Sequence, residues 1–179
     1  MAELYWEAFR GKLGRVLGPD AKALRYLRLG MRPDHAIVAR DEGDRLVGAA
    51  GFKTYQGALV GGDIADLREV YGLIGALWRV SFLMLLERDI ENERFLLDGL
   101  FVSAEARGRG VGTALLSAVY DEARSRGYRE VRLDVITDNP RARALYEREG
   151  FRAINTSHAG PLRHVFGFRS ATTMVRQVV

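Results

Sequence analysis

DGLFVSAEARGRGVGTALL, residues 98–116, decides how the rest of the chain is arranged. It begins within an apolar segment, 96–102, that reads as a strand. After a short turn, Arg107, Gly108, Arg109, Gly110, Val111, Gly112 and Thr113 run directly into a helix of apolar period. A strand feeding a glycine loop feeding a helix is a cradle for an anion. The N–H groups of a helix's first turn have no intrahelical partner and together bear about half a positive charge, and glycines let a ligand come close to the backbone. Two familiar nucleotide loops do not fit. Gly112-Thr113 lacks the lysine of a P-loop, and the spacing is G-x-G-x-G rather than G-x-G-x-x-G. On its own the loop is equally a basic turn capping a surface helix.

The chain has 179 residues, 47% of them hydrophobic, which is the size and composition of one well-buried domain. It contains no cysteine, so a disulfide scaffold, a thiolate zinc site and a cysteine nucleophile are all excluded. His35, His158 and His164 are scattered without metal-ligand spacing, and no metal is expected. The net charge of +4 is spread over arginines along the chain with no basic stripe among aromatics. That balance suits an acidic small ligand better than a nucleic acid. The opening MAELYWEAFRGKL carries acids and lacks the apolar core of a signal peptide, which points to the cytoplasm. The longest apolar tract, 73–86, is interrupted by Arg79 and is shorter than the ~18 residues of a membrane span, so no membrane partner is expected.

Apolar spacing predicts a first helix over 3–17, ended by Gly18-Pro19, and a second over 20–29, capped by Asp20 and closed by Gly30. Residues 35–40 and 45–52 flank the turn-rich quartet Asp41-Glu42-Gly43-Asp44 and read as an antiparallel hairpin. A helical excursion at 53–94, with a helix predicted over 64–88, separates this hairpin from the strand at 96–102. The excursion either covers one face of the sheet, walls a substrate pocket, or pairs two subunits into a homodimer. Beyond the glycine loop, Val111, Ala114, Leu115, Ala118 and Val119 form a helical stripe that ends at Gly127. The alternating segment 130–137 then completes a right-handed parallel strand–helix–strand crossover. Asn139-Pro140 opens another helix, Gly150 ends it, and 151–157 and 170–177 read as the last strands.

On the helix after Asn139, spacings of three and four put Asn139, Ala142, Arg143 and Tyr146 on one side, a cap amide, a small residue and a phenol in a line. Taken alone, Tyr146 is equally a core aromatic and Asn139 equally a simple cap. The two segments together are more specific. R-x-x-G-x-G at Arg107, Gly110 and Gly112, followed by N-x-x-A-x-x-x-Y-E-x-x-G-F from Asn139 to Phe151, resembles the GCN5-related N-acetyltransferase (GNAT) family. The resemblance covers roughly residues 30–178 and is strongest over 96–151.

It implies a single α/β (α+β) domain over 1–179. The expected sheet is mixed and mostly antiparallel, with a central splayed parallel strand pair and flanking helices. It further implies acetyl-CoA as co-substrate, its diphosphate on the backbone amides from Gly108 to Thr113 behind Arg107, and its pantetheine arm paired with the backbone of Leu100, Phe101 and Val102. Asn139 would hydrogen-bond that arm beside Ala142, and Tyr146 would sit near the sulfur as its proton donor. A phenol of ordinary pKa about 10 is protonated at neutral pH and suits that task. The acceptor amine must lose a proton, and Asp98, at a position where the family often has an acid, is either that base or a simple hydrogen-bond acceptor; Glu105 ranks below it. Strict alternation puts Asp98 on one strand face with Leu100 and Val102. The implied activity is transfer of an acetyl group to a primary amine by direct attack. The alternatives are a non-catalytic acyl-CoA-binding regulatory or sensor module and an ATP- or NAD-dependent enzyme. The acceptor itself is not readable from the chain.

Overall fold

The computed structural model describes residues 1–86, 93–160 and 167–179. Helix α1 (Ala2–Leu17) buries Trp6, Leu13, Val16 and Leu17 along one side, and α2 (Asp20–Gly30) buries Ala23, Tyr26 and Leu27 against it. Pro19, not Asp20, occupies the residue before α2 and offers no side-chain cap. The Asp20 carboxylate instead pairs with Arg10 at 2.8 Å, fastening the second helix to the first. A 3-10 turn, Pro33–His35, delays the first strand by a residue relative to the expected start.

Strand β1 (Ala36–Arg40) pairs antiparallel with β2 (Leu46–Thr54) across the expected turn. There the N–H groups of Gly43 and Arg45 donate to Asp41 Oδ1 at 3.1 and 2.9 Å. Strand β3 (Gly57–Ala58) adds a short pairing to β2. The excursion helix α3 (Ile64–Leu86) starts at a reciprocal cap: the Asp66 N–H donates to Asp63 Oδ1 at 2.9 Å and the Asp63 N–H to Asp66 Oδ2 at 3.1 Å. It packs on α1 and α2. The sequence reading has one unbroken helix, but Gly72 at φ 73°, ψ 174° divides it. The expected end of that helix at 88 lies outside the described residues.

The second half alternates β4 (Phe95–Val102), α4 (Val111–Ser125), β5 (Glu130–Ile136), α5 (Pro140–Arg148), β6 (Arg152–His158) and β7 (Ser170–Gln177). The sheet runs β1-β2-β4-β5-β7-β6 with β3 beside β2, and β4–β5 is its parallel pair. This is the mixed, mostly antiparallel α+β architecture that the motifs imply. One face packs Ala50, Phe52, Leu97, Leu133 and Met174 against Leu116 and Val119 of α4 and Tyr146 of α5. On the other face, Ala49 and Phe101 meet Leu4, Tyr5 and Phe9 of α1. The buried stripe of α4 is wider than the spacing alone suggests: Leu116, Tyr120 and Ala123 join it, while Ala114 is exposed.

Candidate active site

Strands β4 and β5 hold together at Phe95↔Val131, Leu96↔Arg132 and Leu97↔Leu133, and their pairing stops there. From that point to Val102, the strand partner of β4 among the described residues is β2, on its other side. The cause is local. Gly51 of β2 faces Gly99 while Phe52 faces Leu97, so Asp98 is an extra residue in β4, a β-bulge that bends the strand. The two parallel strands therefore splay.

The bulge also corrects the face expected of Asp98. An inserted residue resets the alternation, so Leu97, not Asp98, shares the α4 face with Leu100 and Val102. Asp98 is exposed, and its charge acts on the Tyr5 phenol of α1, whose pKa burial pushes up and Asp98 pushes further in the same direction. Phe9 lies over the β4 backbone beside it, where a Cβ on Gly99 would come within 2.8 Å of the Phe9 ring. Asp98 thus borders an aromatic patch of Tyr5, Phe9 and Phe101 rather than the side on which Tyr146 packs.

The glycine loop follows β4 without slack. The Ser103 N–H donates to Val47 O at 2.8 Å, Ala106 is buried, and Arg107 Nε donates back to Val102 O at 3.1 Å. Gly108 and Gly110 have φ of 77° and 81°, a left-handed conformation that favours glycine, and among the described residues no atom beyond the adjoining residues lies within 4 Å of where either side chain would begin. The loop backbone is accordingly open. The Ala114 N–H is the first in α4 to bond back, to Gly110 O at 3.0 Å, and so the N–H groups of Val111, Gly112 and Thr113 precede the helical ladder. Gly112 lets three elements converge, because a Cβ there would stand 3.1 Å from Leu145 of α5 and 3.9 Å from Leu100 of β4. Glu105 is exposed, and its own backbone N–H and then the Ser103 hydroxyl hold its carboxyl below the usual range.

Helix α5 begins as its sequence predicts. Asn139 Oδ1 accepts the Ala142 N–H at 3.1 Å, and Pro140 takes the first helical position. Asn139 is exposed, with its amide nitrogen free of that cap, and Ala142 is half-buried on the core. Tyr146 is buried edge-on to Phe151, with ring centres 5.7 Å apart. Burial, helped by neighbouring Tyr120, pushes its phenol up to about 12. At the other end of α5 stands a residue the sequence reading passes over. Glu149 accepts the Thr113 hydroxyl at 2.9 Å and faces Arg176 of β7 at 3.7 Å. Glu149 and Leu145 both fall at unspecified positions of the motif, and their only signal is helical spacing.

Among the described residues no group of three or more His, Cys, Asp or Glu is placed to hold a metal ion. No described helix is long and apolar enough to cross a membrane.

Residues 1–151 match the family described as "Acetyltransferase (GNAT) family". No curated protein matches the chain. Among solved structures, the chain is similar to the ribosomal-protein-alanine N-acetyltransferase of Brucella melitensis, with a TM-score of 0.62 and 18% identity over 98% of this chain and 91% of that one. A second structure, described only as an acetyltransferase, has a TM-score of 0.60 and 19% identity over 99% and 93% of the two chains. Nourseothricin acetyltransferase has a TM-score of 0.55 and 21% identity, matched over 80% of this chain, which spans 65% of that protein's length. At these identities the likeness is one of fold.

Proposed function

Because the chain belongs to the GNAT acetyltransferase family, an acyl-CoA-dependent class with acetyl-CoA as its co-substrate, we propose that it transfers an acetyl group to a primary amine by direct attack in a ternary complex. The observation that supports this reading best is the convergence at Gly112. There an open, left-handed glycine loop, the unpaired length of β4 and the helix bearing Tyr146 come within van der Waals reach of one another.

The residues present fit coenzyme A. Amides from Gly108 to Thr113 are oriented by the start of α4 to hold the diphosphate, with Arg107 fastened just upstream. The backbone of Leu100, Phe101 and Val102 lies on the stretch of β4 that β5 leaves unpaired, so the pantetheine amides can pair with it as a further strand would. Asn139 uses its Oδ1 as the helix cap and keeps its amide N–H groups for the same arm, beside Ala142. The thioester supplies an activated acyl group, so the protein needs no covalent nucleophile. Tyr146, neutral up to about pH 12, keeps a proton to give to the departing sulfur. Asp98, on the α1 side of the splay, accepts the proton that the ammonium form of the acceptor must lose, directly or through water. Holding both reactants in line contributes by orientation.

The test is thiol release from acetyl-CoA across a panel of amines. The panel includes nourseothricin and a peptide with N-terminal alanine, since the acceptors named for the similar structures differ that widely. Release above background with at least one amine is expected. Tight coenzyme A binding with no release from any amine would replace this reading with that of a binding module.

A further inference from the structure

Helix α5 is fastened to the glycine loop at two points. Leu145 packs on Gly112, and one turn further on Glu149 divides its carboxylate: Oε1 accepts the Thr113 hydroxyl at 2.9 Å and Oε2 faces Arg176 Nη1 at 3.7 Å. The Arg176 guanidinium in turn lies on the Tyr120 ring at 3.8 Å, and Tyr120 and Tyr146 both pack on Phe151, at 6.2 and 5.7 Å between ring centres. A chain of contacts therefore runs from the first turn of α4 through Glu149 to the ring cluster that holds Tyr146.

Glu149 stands where opposing fields meet. The negative end of the α5 dipole disfavours its carboxylate, while the positive end of α4, which its oxygen touches, and Arg176 favour it. Its charge also repels any anion received by that turn. We propose that Glu149 is a positioning residue. It locks Thr113 and Arg176 to the end of α5, so that Asn139 and Tyr146 stand in fixed relation to the amides at the start of α4. The inference rests on the reading of those amides as the coenzyme A diphosphate site. It goes beyond that reading by giving a residue outside the motif control over both affinity and the chemical step.

The electrostatic and positioning roles have opposite signs, which makes the test sharp. Removing a nearby negative charge tightens the binding of an anion; removing a positioning contact weakens it. The experiment is calorimetric titration of the full chain with coenzyme A, alongside kcat and KM for acetyl-CoA, in wild type, Glu149→Ala, Glu149→Gln, Thr113→Val and the Glu149→Ala/Thr113→Val pair. Glu149→Ala is expected to weaken coenzyme A about tenfold, the worth of one hydrogen bond to a charged group, and to lower kcat as well. Glu149→Gln, which keeps an oxygen for the Thr113 hydroxyl, is expected to restore most of both. The double variant should add little to either single change, as residues acting through one contact do. Tighter or unchanged binding in Glu149→Ala overturns the proposal, as does a Glu149→Gln variant no better than Glu149→Ala. If Glu149→Ala fails to fold, Thr113→Val decides in its place: weaker binding with lower kcat is expected, and tighter or unchanged binding overturns the proposal. A wild type that binds no coenzyme A overturns the reading of the site as well. A wild type that binds it, with variants that do not differ, overturns only the role of Glu149.

Discussion

Tyr146 stands deep among rings with its phenol pushed up to about 12 by burial. In the proposed role of general acid it keeps a proton to give across the neutral range. Tyr146→Phe is expected to lower kcat by on the order of a hundredfold while calorimetry shows coenzyme A affinity nearly kept. An unchanged kcat, where the absence of a pre-steady-state burst shows chemistry to be rate-limiting, would remove the role. The same burial has a stability consequence whose sign is fixed. A phenol whose folded pKa lies above its unfolded value of about 10 stabilises the fold fully below pH 10, and that contribution is lost as pH rises toward 12. Tyr5, Tyr71 and Tyr120 are raised as well, all chiefly by burial. Denaturant melts should therefore show stability falling between pH 10 and 12, and falling less steeply in Tyr146→Phe. At this scale the sequence was informative on local structure where residue type defines it, as at the Asn139 cap and the left-handed loop glycines. It was silent on Glu149, because an acid at an unspecified helical position looks like any solvated one. It was misleading on the strand face of Asp98, because a bulge leaves no compositional mark and alternation counts straight through it.

Helix α5 is short and polar on its outer side, so its end conditions matter. Asn139→Ala removes the side-chain acceptor of the Ala142 N–H and is expected to cost ~1 kcal/mol, read as a lower urea midpoint with an unchanged slope. Helix α3 poses the opposite case. Its Gly72 adopts φ 73°, ψ 174°, a region closed to other residues, yet a Cβ there would meet nothing within 4 Å among the described residues beyond its chain neighbours. Gly72→Ala should thus be destabilising by ~1–3 kcal/mol through backbone strain alone, with no clash for neighbours to relieve. Its check is the same melt against Gly11→Ala, a helical glycine in equally open space whose backbone is ordinary. The break at Gly72 was not legible, since apolar residues continue through it in a run that periodicity reads as one helix. Past the break Leu73, Ile74 and Leu77 are exposed, while Arg79 stays fixed between the rings of Tyr71 and Trp78 and donates from Nε to Val16 O at 2.7 Å. Helix starts and stops elsewhere were readable where glycine and proline act through their own backbones and Asn139 through its side-chain oxygen.

Across the whole molecule the sheet is two partial sheets, β1-β2-β4 and β5-β7-β6, joined by three residue pairs at one end of the β4–β5 contact. The parallel crossover was readable from the strand, helix and strand in order. The extent of the opening was not, since it is decided by one inserted residue and by which backbone groups find partners. That partnership can be followed by amide hydrogen exchange. From Gly99 to Val102, successive N–H groups of β4 point alternately toward β2, where they are bonded, and toward the opening, where β5 offers no acceptor. Without ligand, every second amide in this short run should exchange at nearly the rate of unstructured chain while its neighbours are protected with the core. If coenzyme A bridges the opening as a strand, the fast set alone should slow, so that an alternating pattern of deuterium uptake becomes uniform on binding.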